Sequence, residues 1–192
     1  MRVVTFDIET ANWLGGETGF SAVTDLSIAI VCVHDSETDT YTSYLETELP
    51  HLWPILERTD ILVGYNSDHF DVPLLNKYYP GDLTKIKSLD IMKEVYETLG
   101  RRLKLDAIAE GTLGEKKSAS GSQSLQWWRA GEIDKVRQYC LKDVEITKRI
   151  FDHALEQGGI KYRELGKTYE VKLDTSDWLS PSSAPMTFTL GL

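Results

Sequence analysis

The sequence predicts an α/β or α+β domain with a mixed β-sheet, and three observations carry that expectation. The chain opens on three strand-like segments that read as an antiparallel start. Helix-like and strand-like segments then alternate from about residue 49 onward. Its 192 residues suit one domain, and 41% hydrophobic with 27% charged residues is an ordinary globular composition, not a disordered one.

Taken in order, residues 2–9 form the first strand, because Val4, Phe6 and Ile8 alternate with Val3, Thr5, Asp7 and Glu9. Residues 12–24 are glycine-rich and polar, a loop. Leu26 to His34 is the second strand, and its Ile28–Val33 run is apolar enough to be buried on both faces. Asp35–Asp39 is a hairpin turn into a third strand, Thr40 to Leu45. Leu49 to Arg58 is a short helix with Pro50 in its first turn. Ile61 to Gly64 is a fourth strand that runs straight into Tyr65-Asn66. Phe70 to Tyr79 is a helix closed by Pro80-Gly81, and Ile86 to Leu89 a fifth strand. Helices follow at Asp90–Leu99 and Leu105–Leu113, stopped by Gly100 and Gly114. Residues 115–124 are a polar, flexible loop. Glu132 to Gln157 is the longest helix, ended by Gly158-Gly159. Ile160–Glu164 and Thr168–Leu173 make a small hairpin about Gly166, and 174–192 is a tail. The expected division is a domain over 1–157 and a C-terminal hairpin and tail over 158–192.

Composition narrows the function. The longest apolar runs are too short to span a bilayer, so no membrane partner is expected. The first residues bring a carboxylate at position 7, unlike a secretory signal. Cys32 and Cys140 lie far apart in the chain and read as free thiols, so a reducing, cytoplasmic setting is expected. The net charge of −9 argues against a passive nucleic-acid-binding module, since phosphate binding rests on positive charge. It does not argue against a nuclease whose carboxylates hold metal ions.

Asp7 and Glu9 stand two apart on a strand, so both point to one face while Phe6 and Ile8 take the other. Carboxylates held that close repel unless a cation sits between them, and hard divalent ions take such oxygen ligands. Asp-x-Glu recurs at Asp35–Glu37 in a turn and at Asp143–Glu145 on a helix, where i and i+2 diverge. Tyr139 and Asp143, four apart on the last helix, share a face. The other Tyr-x-x-x-Asp, Tyr78 to Asp82, is broken by Pro80-Gly81. Asp71 opens a helix after a strand and a polar turn, a place where a carboxylate also suits the helix dipole.

Together, Phe6-Asp7-Ile8-Glu9-Thr10, then Asn66 to Phe70-Asp71, then Tyr139 to Asp143, resemble the three exonuclease motifs of the DEDD 3′–5′ exonucleases. The likeness runs from residue 2 to about 157 and includes Ser88-Leu89-Asp90-Ile91-Met92. Tyr139 marks the DEDDy branch; the histidine of the other branch is replaced here by Gln138. Gly64-Tyr65-Asn66 with Phe70-Asp71 is most similar to the proofreading domain of family B DNA polymerases. A chain of 192 residues has no room for a polymerase, so a stand-alone relative is implied. The fold then expected is α/β and ribonuclease H-like, a mixed central sheet flanked by helices with a small C-terminal hairpin.

The resemblance implies a metal-dependent 3′–5′ exonuclease that releases nucleoside 5′-monophosphates from single-stranded DNA ends. Asp7, Glu9, Asp71 and Asp143 would hold two divalent ions, Mg²⁺ or Mn²⁺, with Asp7 bridging. Glu9 and Asp143 would complete the nucleophile side and Asp71 would support the other ion. A phenol with a pKa near ~10 is a weak base, so Tyr139 orients the attacking water. Thr10 and Asn66 would contact the terminal nucleotide. Lys116 and Lys117 either meet phosphates or face solvent, and Trp127-Trp128 either stacks bases or anchors a helix. Trp13 follows the first motif in a flexible loop, with no physical ground for preferring a substrate contact, and His69 and His153 pair into no metal-ligand spacing. Two alternatives stand beside this reading: an RNA 3′-end exonuclease of the same fold, and a catalytically silent module that binds nucleic acid or protein. All five expected side chains are present, which favours an enzyme.

Overall fold

The structure is a computed structural model and describes residues 1–12, 23–115 and 121–180. Trp13, Lys116, Lys117, most of the first loop and the chain beyond residue 180 lie outside the described residues.

Strands β1 (Val3–Thr10), β2 (Ile28–Asp35) and β3 (Thr40–Leu45) pair antiparallel in sequence order. Strands β4 (Ile61–Gly64) and β5 (Lys87–Asp90) add parallel to the free side of β1. The sheet order is therefore β3-β2-β1-β4-β5, the mixed arrangement expected from the sequence. Every residue of β2 is buried, as its unbroken apolar run demands.

The alternation along β1 and β4 divides the core between two faces. Val4, Phe6, Ile8 and Leu62 pack on one side with Leu49 and Leu52 from short helical segments and with Leu74 and Leu75 of α1 (Asp71–Asn76). The opposite face is covered by α2 (Ile91–Leu99), α3 (Gly121–Arg129) and α4 (Ile133–Gln157). Val136, Cys140 and Val144 of α4 rest on Ile30 and Cys32, and further along Ile146, Ile150 and Phe151 share a core with Ile61, Val63 and Leu89. Gly158 ends α4 at φ 68°, a left-handed cap that suits glycine.

Strands β6 (Gly159–Glu164) and β7 (Lys167–Lys172) form the C-terminal hairpin. Its two-residue turn has φ 50° at Leu165 and φ 78° at Gly166, the twist-matched geometry of tight hairpins. Ile160, Tyr162 and Val171 enter the same core as α4.

Several segments depart from the sequence-based expectation. The helix expected over 49–58 is a 3₁₀ segment, Glu46–His51, followed by one turn of helix, Trp53–Leu56. Pro54 removes a backbone donor that a continuous helix over 49–58 would use, whereas Pro50 sits in the first turn, where no donor is needed. The helix expected over 70–79 stops at Asn76, whose side-chain oxygen accepts the Leu83 N–H at 2.7 Å. Over 105–113, an α-helical turn (Leu105–Ile108) widens into a π-helical one (Ala109–Leu113). There Gly111 lies against the hairpin, where a Cβ would stand 2.5 Å from the Tyr162 Cα, and Thr112 Oγ1 bonds Lys161 O at 2.6 Å and Lys161 N at 2.9 Å. The end of the expected loop over 115–124 is helical, because Ser124 and Leu125 of α3 are buried. The start of the expected tail is also packed: Trp178 is 1% exposed, stacks on Phe151 at 5.7 Å and donates to Glu94 at 3.3 Å.

Candidate active site

The β1 pleat sends Asp7 and Glu9 to the α4 side and buries Phe6 and Ile8 on the other. Asp7 lies opposite Cys32 and Glu9 opposite Ile30 on β2, the two residues on which α4 packs. Two thiols set the height and rotation of that helix. Cys140 Sγ donates to the Asp7 carbonyl at 3.4 Å, and Cys32 Sγ to the Arg137 carbonyl at 4.0 Å. Tyr139 and Asp143 flank Cys140 and so face the β1 acids. The result is a cluster in which one carboxylate oxygen each from Asp7, Glu9 and Asp143 lie within 4.8 Å of one another. The glutamates of the other two Asp-x-Glu pairs, Glu37 and Glu145, are in ion pairs elsewhere, and of those pairs only Asp143 joins the cluster. Glu37 pairs with Arg2 at 2.7 Å, and Glu145 pairs with Lys142 at 3.1 Å on the outside of α4.

Asp71 is the first residue of α1 and is buried, 5% exposed. Its carboxylate lies outside the tight trio but within reach of its field. Burial, then the charges of Asp7, Asp90 and Glu9, push its pKa well above the usual carboxylate range. Asn66 precedes it in the left-handed region, φ 63°, which asparagine tolerates. Its N–H donates to Asp90 Oδ1 at 2.7 Å, while its side-chain oxygen is buried and accepts no hydrogen bond among the described residues. Thr10 follows an irregularity in the β1–β2 register and donates to the Asn12 carbonyl at 3.0 Å.

Asp90 is the residue whose part sequence reasoning missed. Its carboxylate accepts the N–H groups of Asn66, Asp68 and Met92 at 2.7, 3.2 and 3.0 Å. It therefore ties the turn that presents Asn66 and Asp71 to the end of β5, and caps α2 as well. The available signal was an aspartate between a strand and a helix; the long-range part of its role has no local signature.

Tyr139 is 7% exposed and hydrogen-bonded to Asp143. Burial, then the charges of Asp143, Glu9 and Asp7, push its phenol further above its ordinary value, so it stays protonated at neutral pH. The Trp127 ring meets the Tyr139 ring edge-on at 6.3 Å, and both Trp127 and Trp128 pack on the core beneath α3. The helix-anchor reading of the tryptophan pair is thus the observed one.

The donor set fits a hard divalent cation. It is all oxygen, two of its four carboxylates are nearly inaccessible to solvent, and ionising all of them together is unfavourable without a cation among them.

The family model described as the RNase H superfamily matches residues 4–155, which takes in all five motif residues. No curated protein matches the sequence. Among solved structures, the family B DNA polymerase from the hyperthermophilic archaeon Pyrobaculum calidifontis superposes with a TM-score of 0.62 at 20% identity. The match covers 80% of this chain and 24% of the polymerase, so the chain spans about a quarter of that protein and the likeness is one of fold. No helix among the described residues is long and apolar enough to cross a membrane. By its matched residues, its sheet order and its acidic centre, the chain belongs to the RNase H superfamily and has a nuclease fold.

Proposed function

We propose that the protein is a DEDDy-type, metal-dependent 3′–5′ exonuclease that releases nucleoside 5′-monophosphates from single-stranded DNA ends. The observation that carries the reading is the convergence of Asp7, Glu9 and Asp143 on one point, with Tyr139 bonded to Asp143 beside them. Direction and the DNA strand rest on the resemblance of the motif set.

Asp7, Glu9 and Asp143 are the residues that would hold one divalent ion, Mg²⁺ or Mn²⁺, and Asp71 with Asp7 a second. When bound, such ions supply hydroxide near neutral pH and stabilise the charge on the leaving oxygen. The protein's own groups do the rest. Tyr139 keeps its proton and positions the attacking water as a hydrogen-bonding partner rather than as a base. The buried side-chain oxygen of Asn66 offers an acceptor to the terminal nucleotide, and Thr10 stands at the end of the same strand as Asp7 and Glu9. Asp90 holds the turn that carries Asn66 and Asp71. Cys32 and Cys140 are free and buried, which suits a reducing compartment, and we assign the protein to the cytoplasm.

The test is a timed digestion of 5′-labelled single strands of DNA and of RNA, with Mg²⁺, with Mn²⁺ and with EDTA. A ladder that shortens from the 3′ end, mononucleotide 5′-phosphate as product and silence in EDTA are expected, with DNA faster than RNA. Activity that persists in EDTA, or internal cuts in a circular single strand, would overturn the reading.

A further inference from the structure

An acidic nuclease must still grip a polyanion, and the acids of the centre cannot do it. Two cavities near the turn that carries Asp71 share Arg102, and among their cations Arg102 and Lys104 stand outside the ion pairs of the described residues. The first, about 300 Å³, is lined by Asp68, His69 and Asp90 together with Lys93, Tyr96 and Arg102. It borders the turn that presents Asp71, and Asp90 on its wall contributes to the field at Asp71. The second, about 620 Å³, lies on the other side of Arg102 and also holds Lys104, Arg101 and Arg163. Arg102 lines both, so the two cavities meet at one side chain.

The charge around these cavities is unevenly balanced. Asp90 is taken up by three backbone N–H groups, and Asp68 accepts Ser88 Oγ at 2.5 Å. Glu164 is held by Arg101 at 2.9 Å and Glu110 by Arg163 at 3.4 Å, and Asp106 is the other acid on the wall of the second cavity. Arg102 and Lys104 are exposed and form no ion pair among the described residues, and Lys93 reaches Asp68 only at 3.9 Å. Tyr96 is 49% exposed and stands three residues after Lys93 on the same face of α2. Cations with an exposed aromatic between them are the elements of a single-strand groove: charge for phosphates and a flat face for a base.

We propose, resting on the nuclease reading above, that Lys93, Arg102 and Lys104 carry the phosphates of the strand behind its 3′ end, and that Tyr96 stacks one of its bases. Arg102, shared by both cavities, is the central contact, since its fork can hold a phosphate through two bonds.

The test is fluorescence anisotropy of a labelled oligo-dT single strand with the full chain in Ca²⁺, over a salt series, for wild type and for Arg102→Glu with Lys104→Glu. Lys167→Glu with Lys172→Glu, both exposed on the hairpin, serves as the charge-matched control. The double variant should bind at least about 10-fold more weakly, with a salt slope shallower by about 0.7 for each phosphate it no longer neutralises. The control should match wild type. Arg102→Gln with Lys104→Gln should weaken binding by a smaller factor in the same direction. Tyr96→Ala should weaken binding about 5- to 100-fold, and that loss should persist at high salt. A wild type that binds no single strand, or a double variant with unchanged affinity and slope, overturns the track. If binding falls on charge reversal but wild type hydrolyses nothing in Mg²⁺, the track stands and the nuclease reading fails. If wild type hydrolyses and the double variant keeps its KM, the track fails and the nuclease reading stands.

Discussion

Two groups of buried acids sit at opposite ends of the β1–β2 pair, and their surroundings drive them in opposite directions. At one end Asp35 accepts Arg2 Nε at 2.9 Å, Arg2 Nη2 at 2.6 Å, the Glu37 N–H at 3.0 Å and Thr38 Oγ1 at 3.3 Å. Burial alone would raise its pKa, but Arg2 and the other donors outweigh that and hold it below the usual carboxylate range. At the other end burial and neighbouring acids act together on Asp71 and push it up. Both aspartates are covered from solvent, at 3% and 5% exposed, but Asp35 lies close to the surface and Asp71 deep inside. Asp71 lies deeper in the protein than Asp35 and has acids for neighbours where Asp35 has an arginine, and depth and partners together set the two apart.

The largest expected contrast is in rate. Asp7→Ala should lower turnover on a labelled single strand by more than about 10³-fold, beyond the ~10²–10³ typical of one lost positioning donor. Asp35→Ala, at the far end of the strand pair, should leave turnover at wild-type level. Equal losses in both would erase the distinction between the two ends.

Next comes stability. Asp35→Ala removes the bonds from Arg2, the Glu37 N–H and Thr38 and leaves Arg2 only its exposed partner Glu37, so it should cost about 2 kcal/mol in urea unfolding, whereas Asp7→Ala should cost little. The pH dependence has a definite sign. Asp35 titrates lower in the folded state than the ~3.9 of an unfolded chain. Its contribution is therefore present above that value and is lost as pH falls through the folded one. Acid unfolding of Asp35→Ala should accordingly lack part of the wild-type slope below about pH 4.

Tyr139→Phe should be partial, about 10²-fold in turnover, because the phenol positions water and carries no metal. A loss as deep as that of Asp7→Ala would give Tyr139 a larger role than orientation.

The smallest effect runs in the stabilising direction. The raised Asp71 costs stability as pH climbs above the unfolded ~3.9, so in metal-free buffer Asp71→Asn should melt at or above wild type at pH 7. Near pH 4, where the native carboxyl is protonated, the gap should close. Saturating Mg²⁺ should reverse the order, since wild type gains more binding energy. A clear drop in the metal-free melting temperature would instead make Asp71 a structural group at the start of α1.

What could be read from the chain follows from the range of the forces involved. The β1 alternation, the unbroken apolar run of β2 and the i, i+4 placement of Tyr139 and Asp143 are local patterns, and each appears in the fold as expected. The segments that differ are governed by distant partners. The π-helical turn at 109–113 exists because Gly111 meets the hairpin, and residues from 174 stay packed because Trp178 finds Phe151. Asp90 reads locally as a helix cap, yet two of its three N–H partners lie more than twenty residues upstream. Arg102 stands out only once two cavities meet at its side chain.

The thiol contact between Cys140 and the Asp7 carbonyl has a consequence in time. It joins residues 133 apart in sequence. During synthesis at ~5–20 residues per second, Asp7 is made roughly 7–27 s before Cys140. For that interval the strand acids have no helix to complete them, and the closing of so long a loop must be offset by the packing of Val136, Cys140 and Val144, not by the acids themselves. A nascent or truncated chain that ends before α4 thus carries Asp7 and Glu9 without the Tyr139 and Asp143 that face them in the folded protein.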